Sequence, residues 1–86
     1  MEKKKYTYGG ALIVGGTLDN GNPWKGIRVM CAEDVPGKPP VKVTVFKAKY
    51  SDELWNIIRN VPQYATVTLD FDVYGDSVRL VGISVV

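Results

Sequence analysis

VKVTVFKAKYSDELWNIIRNVPQYATVTLDFDV, residues 41–73, changes its hydrophobic period twice, and the two changes decide the fold class. From Val41 to Ala48 polar and apolar side chains alternate as in a half-buried strand. Val41, Val43 and Val45 are expected inward, Lys42 and Thr44 outward. Ser51 then offers an N-cap hydroxyl, and Asp52 and Glu53 suit the positive end of a helix. Leu54, Ile57, Ile58 and Val61 recur at helical spacing until Pro62 stops the element. Trp55, beside Ile58, is expected to be mostly buried. Alternation returns after Pro62: Ala65, Val67, Leu69, Phe71 and Val73 point one way, Thr66, Thr68, Asp70 and Asp72 the other.

Upstream, residues 5–17 read as a strand, with Gly9-Gly10 and Gly15-Gly16 where a bulge or sharp coiling is needed. Asp19-Asn20-Gly21-Asn22 is a turn built on Asn-Gly, which tolerates positive φ. Pro23 lacks a backbone donor and belongs at a sheet edge or loop mouth. Residues 23–33 form a second strand, with Ile27, Val29 and Cys31 on one face and Trp24, Arg28 and Met30 on the other. Residues 34–40 are a Pro/Gly loop. Downstream, Tyr74-Gly75-Asp76-Ser77 is a turn, and Val78–Val86 is a last strand with an irregularity near Gly82. The order β-β-β-α-β-β predicts an all-β, five-stranded, OB-fold-like Greek-key barrel with one helix between strands three and four. Strong coiling of a glycine-rich first strand suits such closure. An SH3-like barrel, which usually lacks that helix, and a meander capped by a helix are the alternatives.

Eighty-six residues make a single domain, 1–86. Mean hydropathy near zero points to a soluble chain. No apolar run approaches the roughly 18 residues of a membrane span, and Met-Glu-Lys-Lys-Lys-Tyr is not followed by a clean apolar segment. The expected location is the cytoplasm. Cys31 is the single cysteine and there is no histidine, which excludes an internal disulfide, imidazole catalysis and the usual zinc sites. Asp70 and Asp72 share a face but lack a third ligand for Mg²⁺. Neither glycine pair has the Lys-Ser/Thr and helix of a phosphate loop. No catalytic constellation survives, so neither an enzyme nor a bound metal or cofactor is expected.

The net charge of +2 hides an asymmetry. Residues 1–50 carry nine cations against four acids, net +5, and residues 51–86 two against five, net −3. A basic side favours a polyanionic partner. In OB-folds ligands lie across strands two and three, between the loops joining strands one to two and four to five. Trp24, Lys25 and Arg28 fall on strand two and Lys42 and Phe46 on strand three, with Lys47 a further candidate. Phe46 is read as facing either the groove or the helix. Tyr74 tips the last hairpin and Arg79 follows it. An aromatic face beside positive charge is what an unstacked base and its phosphate require.

Gly16-Thr17-Leu18-Asp19-Asn20-Gly21-Asn22-Pro23-Trp24 resembles the loop of the single-stranded-DNA-binding proteins of filamentous phages: Gly, four variable residues, Gly, one residue, Pro, aromatic. Cys31 falls at a spacing similar to a cysteine of some members, and the overall length is similar too. Phe71-Asp72-Val73-Tyr74-Gly75 resembles the family's final hairpin with its aromatic near the tip. The resemblance implies that Trp24 stacks on bases, that Tyr74 reaches nucleic acid held by a dimer partner, and that Arg79 contacts phosphate. It departs at Leu18 and Asp19, where the family's loop often carries basic residues, and at the clear helix over 51–60. The expectation is a homodimeric, sequence-tolerant binder of single-stranded DNA, with RNA left open, serving phage or mobile-element replication in the host cytoplasm. The competing expectation is a small β-barrel protein-interaction module without nucleic-acid binding.

Overall fold

The computed structural model describes residues 4–35, 37–39 and 42–86. The elements are β1 (Lys5–Thr17), β2 (Pro23–Glu33), β3 (Val43–Lys49), α1 (Asp52–Arg59), β4 (Thr66–Tyr74) and β5 (Ser77–Val85). All neighbouring strands are antiparallel, in one sheet of order β3-β2-β1-β4-β5. The expected all-β class with one helix between β3 and β4 is therefore observed. The two ends of the order, β3 and β5, also touch each other. The sheet thus curls until its free edges meet across a seam, and among the described residues no hydrogen-bonded ladder joins them.

Local chemistry accounts for the elements. The β1–β2 register runs from Tyr6↔Glu33 to Thr17↔Pro23 and shifts between Tyr8 and Gly10, so Gly9 is the bulged residue. Pro23 sits at the mouth of that hairpin, where its missing donor costs nothing. Gly21, at φ 86°, lets the 18–22 turn close with Gly21 N–H donating to Leu18 O at 2.9 Å. The β4–β5 ladder shifts between Asp70 and Phe71, opposite Gly82 and Leu80, which is the irregularity expected near Gly82. Extended Ser51 caps α1, its Oγ accepting from Leu54 N–H at 3.0 Å. Leu54 and Ile58 are buried, whereas Ile57 lies on the flank of the apolar stripe, 46% exposed.

The core joins Tyr8 of β1, Ile27, Val29 and Cys31 of β2, Ala48 of β3, both helix residues, Val67 and Leu69 of β4, and Leu80 and Ile83 of β5. Tyr6, Phe46 and Trp55 pack partly buried against it. Each fully buried aliphatic side chain contributes about 1.5–3 kcal/mol by leaving water. Burial also pushes the Cys31 thiol up to about 11, with a smaller opposing effect of a hydrogen bond from the Gly9 backbone.

The phase of β3 corrects the expectation. Val43 and Val45 are 63% and 53% exposed, on the outer face, while Ala48 is buried. Val41 lies outside the described residues. The register decides this, because residues paired across strands share a face. Ile27 pairs with Ala48, Val29 with Phe46 and Cys31 with Thr44, which puts Phe46 and Ala48 against the core, with Thr44 on the same face but exposed, and turns the valines outward. Lys47 and Lys49 come out with the valines, opposite Arg28 and Gly26. Phe71 and Val73 continue the alternation of Val67 and Leu69 but run past the core, 40% and 66% exposed.

Candidate nucleic-acid interface

Trp24 follows Pro23 at the start of β2, paired with Gly16, and Gly26 lies two residues later on the same face. A Cβ at Gly16 would stand 3.0 Å from Trp24 Nε1, and one at Gly26 would stand 3.6 Å from Trp24 Cζ3. The indole therefore lies across bare backbone at both glycines. It remains 39% exposed, an unusual degree for a ring that could otherwise cover its own core. Gly15-Gly16 carries no register shift. Gly16 makes room for this ring, and Gly15 for the Trp24 backbone, since a Cβ there would stand 2.8 Å from Trp24 O.

A cleft of ≈ 210 Å³ opens beside the indole, lined by Trp24, Lys25, Gly26, Arg28, Lys47, Ala48, Lys49 and Arg79. Five of these are cations, and among the described residues lining the cleft none is a carboxylate. The sheet face supplies Trp24, Arg28, Lys47 and Lys49, and Arg79 reaches in from β5 across the seam. Arg28 is oriented by donating from Nη1 to Ile27 O at 3.2 Å. Gly26 keeps the floor low, since a Cβ there would stand 3.1 Å from Arg28 Nη1 and 3.3 Å from Ala48 O. Such a site offers a π face and clustered positive charge, the two requirements of a phosphate-linked aromatic ligand.

Two tyrosines hold cations at its rim. Lys25 Nζ stands 4.8 Å from the Tyr50 ring centroid, and the Arg79 guanidinium 5.4 Å from that of Tyr74. The Tyr50 hydroxyl donates to Asp52 Oδ1 at 2.7 Å, and that bond raises its phenol above the ordinary range. Tyr74, 53% exposed, lines a second cleft of this chain together with Tyr50.

Four of the expected residues, Trp24, Lys25, Arg28 and Arg79, are thus brought to one cleft, with Tyr74 adjoining it. Two are placed elsewhere. Lys42 lies just before β3, outside the strand, and lines a separate cleft with Glu33, Val35, Lys38 and Pro39. Phe46 is not part of the cleft beside Trp24: its ring meets Tyr6 edge-on at 5.5 Å and Phe71 at 5.4 Å, and with them and Lys47 it lines a separate cleft of ≈ 380 Å³. Lys49 and Tyr50 were missed by the sequence reading. The one local hint is Lys47-Ala48-Lys49, a small apolar residue between two cations, whose phase opposes that of the more strongly apolar valines.

No protein-family model, no curated protein and no solved structure matches this chain. Among the described residues no group of three or more His, Cys, Asp or Glu side chains could hold a metal ion. No helix among them is long and apolar enough to cross a membrane.

Proposed function

We propose that this chain binds single-stranded DNA with little sequence preference, by stacking on Trp24 and by neutralising phosphates with Lys25, Arg28, Lys47, Lys49 and Arg79. The observation that carries the reading is the single cleft in which an exposed indole meets five cations and no carboxylate. The resemblance of residues 16–24 and 71–75 to the filamentous-phage binders supports a role in phage or mobile-element replication. A homodimer belongs to the same reading. Val73, Val78, Val81, Val85 and Val86 are 47–67% exposed on the last hairpin and strand, apolar surface that a second copy would cover.

Poly(dT) titration followed by tryptophan fluorescence, at two salt concentrations, tests the binding. Trp24→Ala is expected to weaken it about five- to a hundred-fold, the worth of one stacked base, with the melting temperature nearly unchanged. Unfolding of that variant would instead make Trp24 a core residue. Sedimentation at micromolar concentration tests the dimer, and a species of 9.5 kDa alone would reject it. The second reading, a protein-interaction module, is favoured by the exposed valines of β3, Val43 and Val45. Apolar contact would leave affinity insensitive to salt, which separates the two.

A further inference from the structure

A second cleft, of ≈ 490 Å³, adjoins the cationic one and shares Lys49 and Arg79 with it. Tyr50 and Tyr74 line it, with Leu54, Leu80 and Val81 supplying apolar surface. Its volume falls within the roughly 300–1,000 Å³ usual for small-ligand sites. Both rings are held in place before any ligand arrives. Tyr50 is fixed by its hydrogen bond to Asp52 and by Lys25 over its ring, and Tyr74 lies under the Arg79 guanidinium.

We infer that Tyr50 is a second stacking platform, and that a base bound between Tyr50 and Tyr74 is the neighbour, along one strand, of the base on Trp24. The inference rests on the single-stranded-DNA reading and deepens it. Lys49 and Arg79, common to both clefts, are where the phosphate linking the two bases is neutralised. Two of the hydroxyls of the second cleft have partners within the chain: Ser51 Oγ accepts from the helix N-terminus, and the Tyr50 hydroxyl donates to Asp52. The rest of the lining is mainly aromatic surface, apolar surface and charge, which every base and phosphate satisfies alike, so the subsite takes any nucleotide. Tyr74 in this arrangement serves its own subunit.

The test compares Tyr50→Leu, Tyr50→Phe and Tyr74→Leu for binding of dT oligonucleotides, with Trp24→Ala and the salt dependence measured alongside. Tyr50→Leu and Tyr74→Leu are each expected to weaken binding about five- to a hundred-fold. Tyr50→Phe keeps the ring and should stay within a few-fold of wild type. Quenching of tryptophan fluorescence at saturation should be unchanged in all three, because Trp24 still stacks. A double variant that loses less than the product of the single losses indicates one base held between the two rings. Wild-type affinity in Tyr50→Leu, with Trp24→Ala still weak and the salt dependence intact, overturns the second subsite alone. Loss of both the Trp24 effect and the salt dependence overturns the DNA reading itself. Should Tyr50→Leu fail to fold, Tyr74→Leu on the exposed hairpin decides: weakened binding supports the subsite, and wild-type binding rejects it.

Discussion

Removing one positive charge from the cleft should change how binding responds to salt by a calculable amount. Each phosphate neutralised on a single strand releases condensed counterions and contributes about −0.7 to the slope of log K against log salt. Five cations line the cleft beside Trp24. If all five engage, the wild-type slope is about −3.5, and affinity falls about a hundredfold between about 50 and 200 mM salt. Lys49→Gln leaves four, a slope of about −2.8 and a fall of about fiftyfold over the same range. Lys49 is exposed on the outer face and paired with Gly26, so the substitution leaves the core intact. Lys42→Gln is the matched control, because Lys42 lines a different cleft and should leave the slope at its wild-type value. Fluorescence titrations with poly(dT) at four or more salt concentrations give the slopes. The reasoning fails if the wild-type slope is indistinguishable from zero, or if Lys42→Gln lowers it as much as Lys49→Gln does.

Gly16→Ala places a methyl 3.0 Å from Trp24 Nε1, so the indole must shift; a changed tryptophan emission and weaker poly(dT) binding are expected in a folded protein. Ile58→Ala, at a fully buried helix position, should destabilise the fold by about 2–5 kcal/mol in urea denaturation. Cys31 should resist thiol reagents until the protein unfolds, since it is buried and its thiol holds its proton up to about 11. Because the folded state binds that proton more tightly than the unfolded chain, the stability this group contributes is full below pH 9.0 and is lost as pH rises toward 11. Tyr8, also raised chiefly by burial, acts in the same direction. Urea midpoints across that range, compared with those of Cys31→Ala, measure the effect.

Element order and type were legible in the sequence because they depend on neighbours along the chain. The switch from period two to helical spacing at Ser51 and back after Pro62 placed α1 within a residue or two, and Gly9-Gly10 marked the bulge that forms. The Ile27–Val29–Cys31 face was readable for the same reason: three apolar residues alternate with a cation and a methionine. The face of β3 was not. Val43 and Val45 are better strand-core residues than Thr44 and Ala48 by any local measure, yet they lie outside. A strand's phase is set by its partner's register, and a slip of one residue exchanges every side chain between faces. Pairing with β2 determined that Lys47 and Lys49 join Arg28 while Lys42 is left at another cleft. Likewise Tyr74 and Arg79 lie well beyond β3 in sequence, and only the curling of the sheet brings β5 against it. The chain's own pattern supplied the aromatic and the cations one by one. Their meeting in one cleft, and Tyr50's place beside it, came from the curling of the sheet that brings β3 and β5 into contact, an interaction between residues that no local pattern connects.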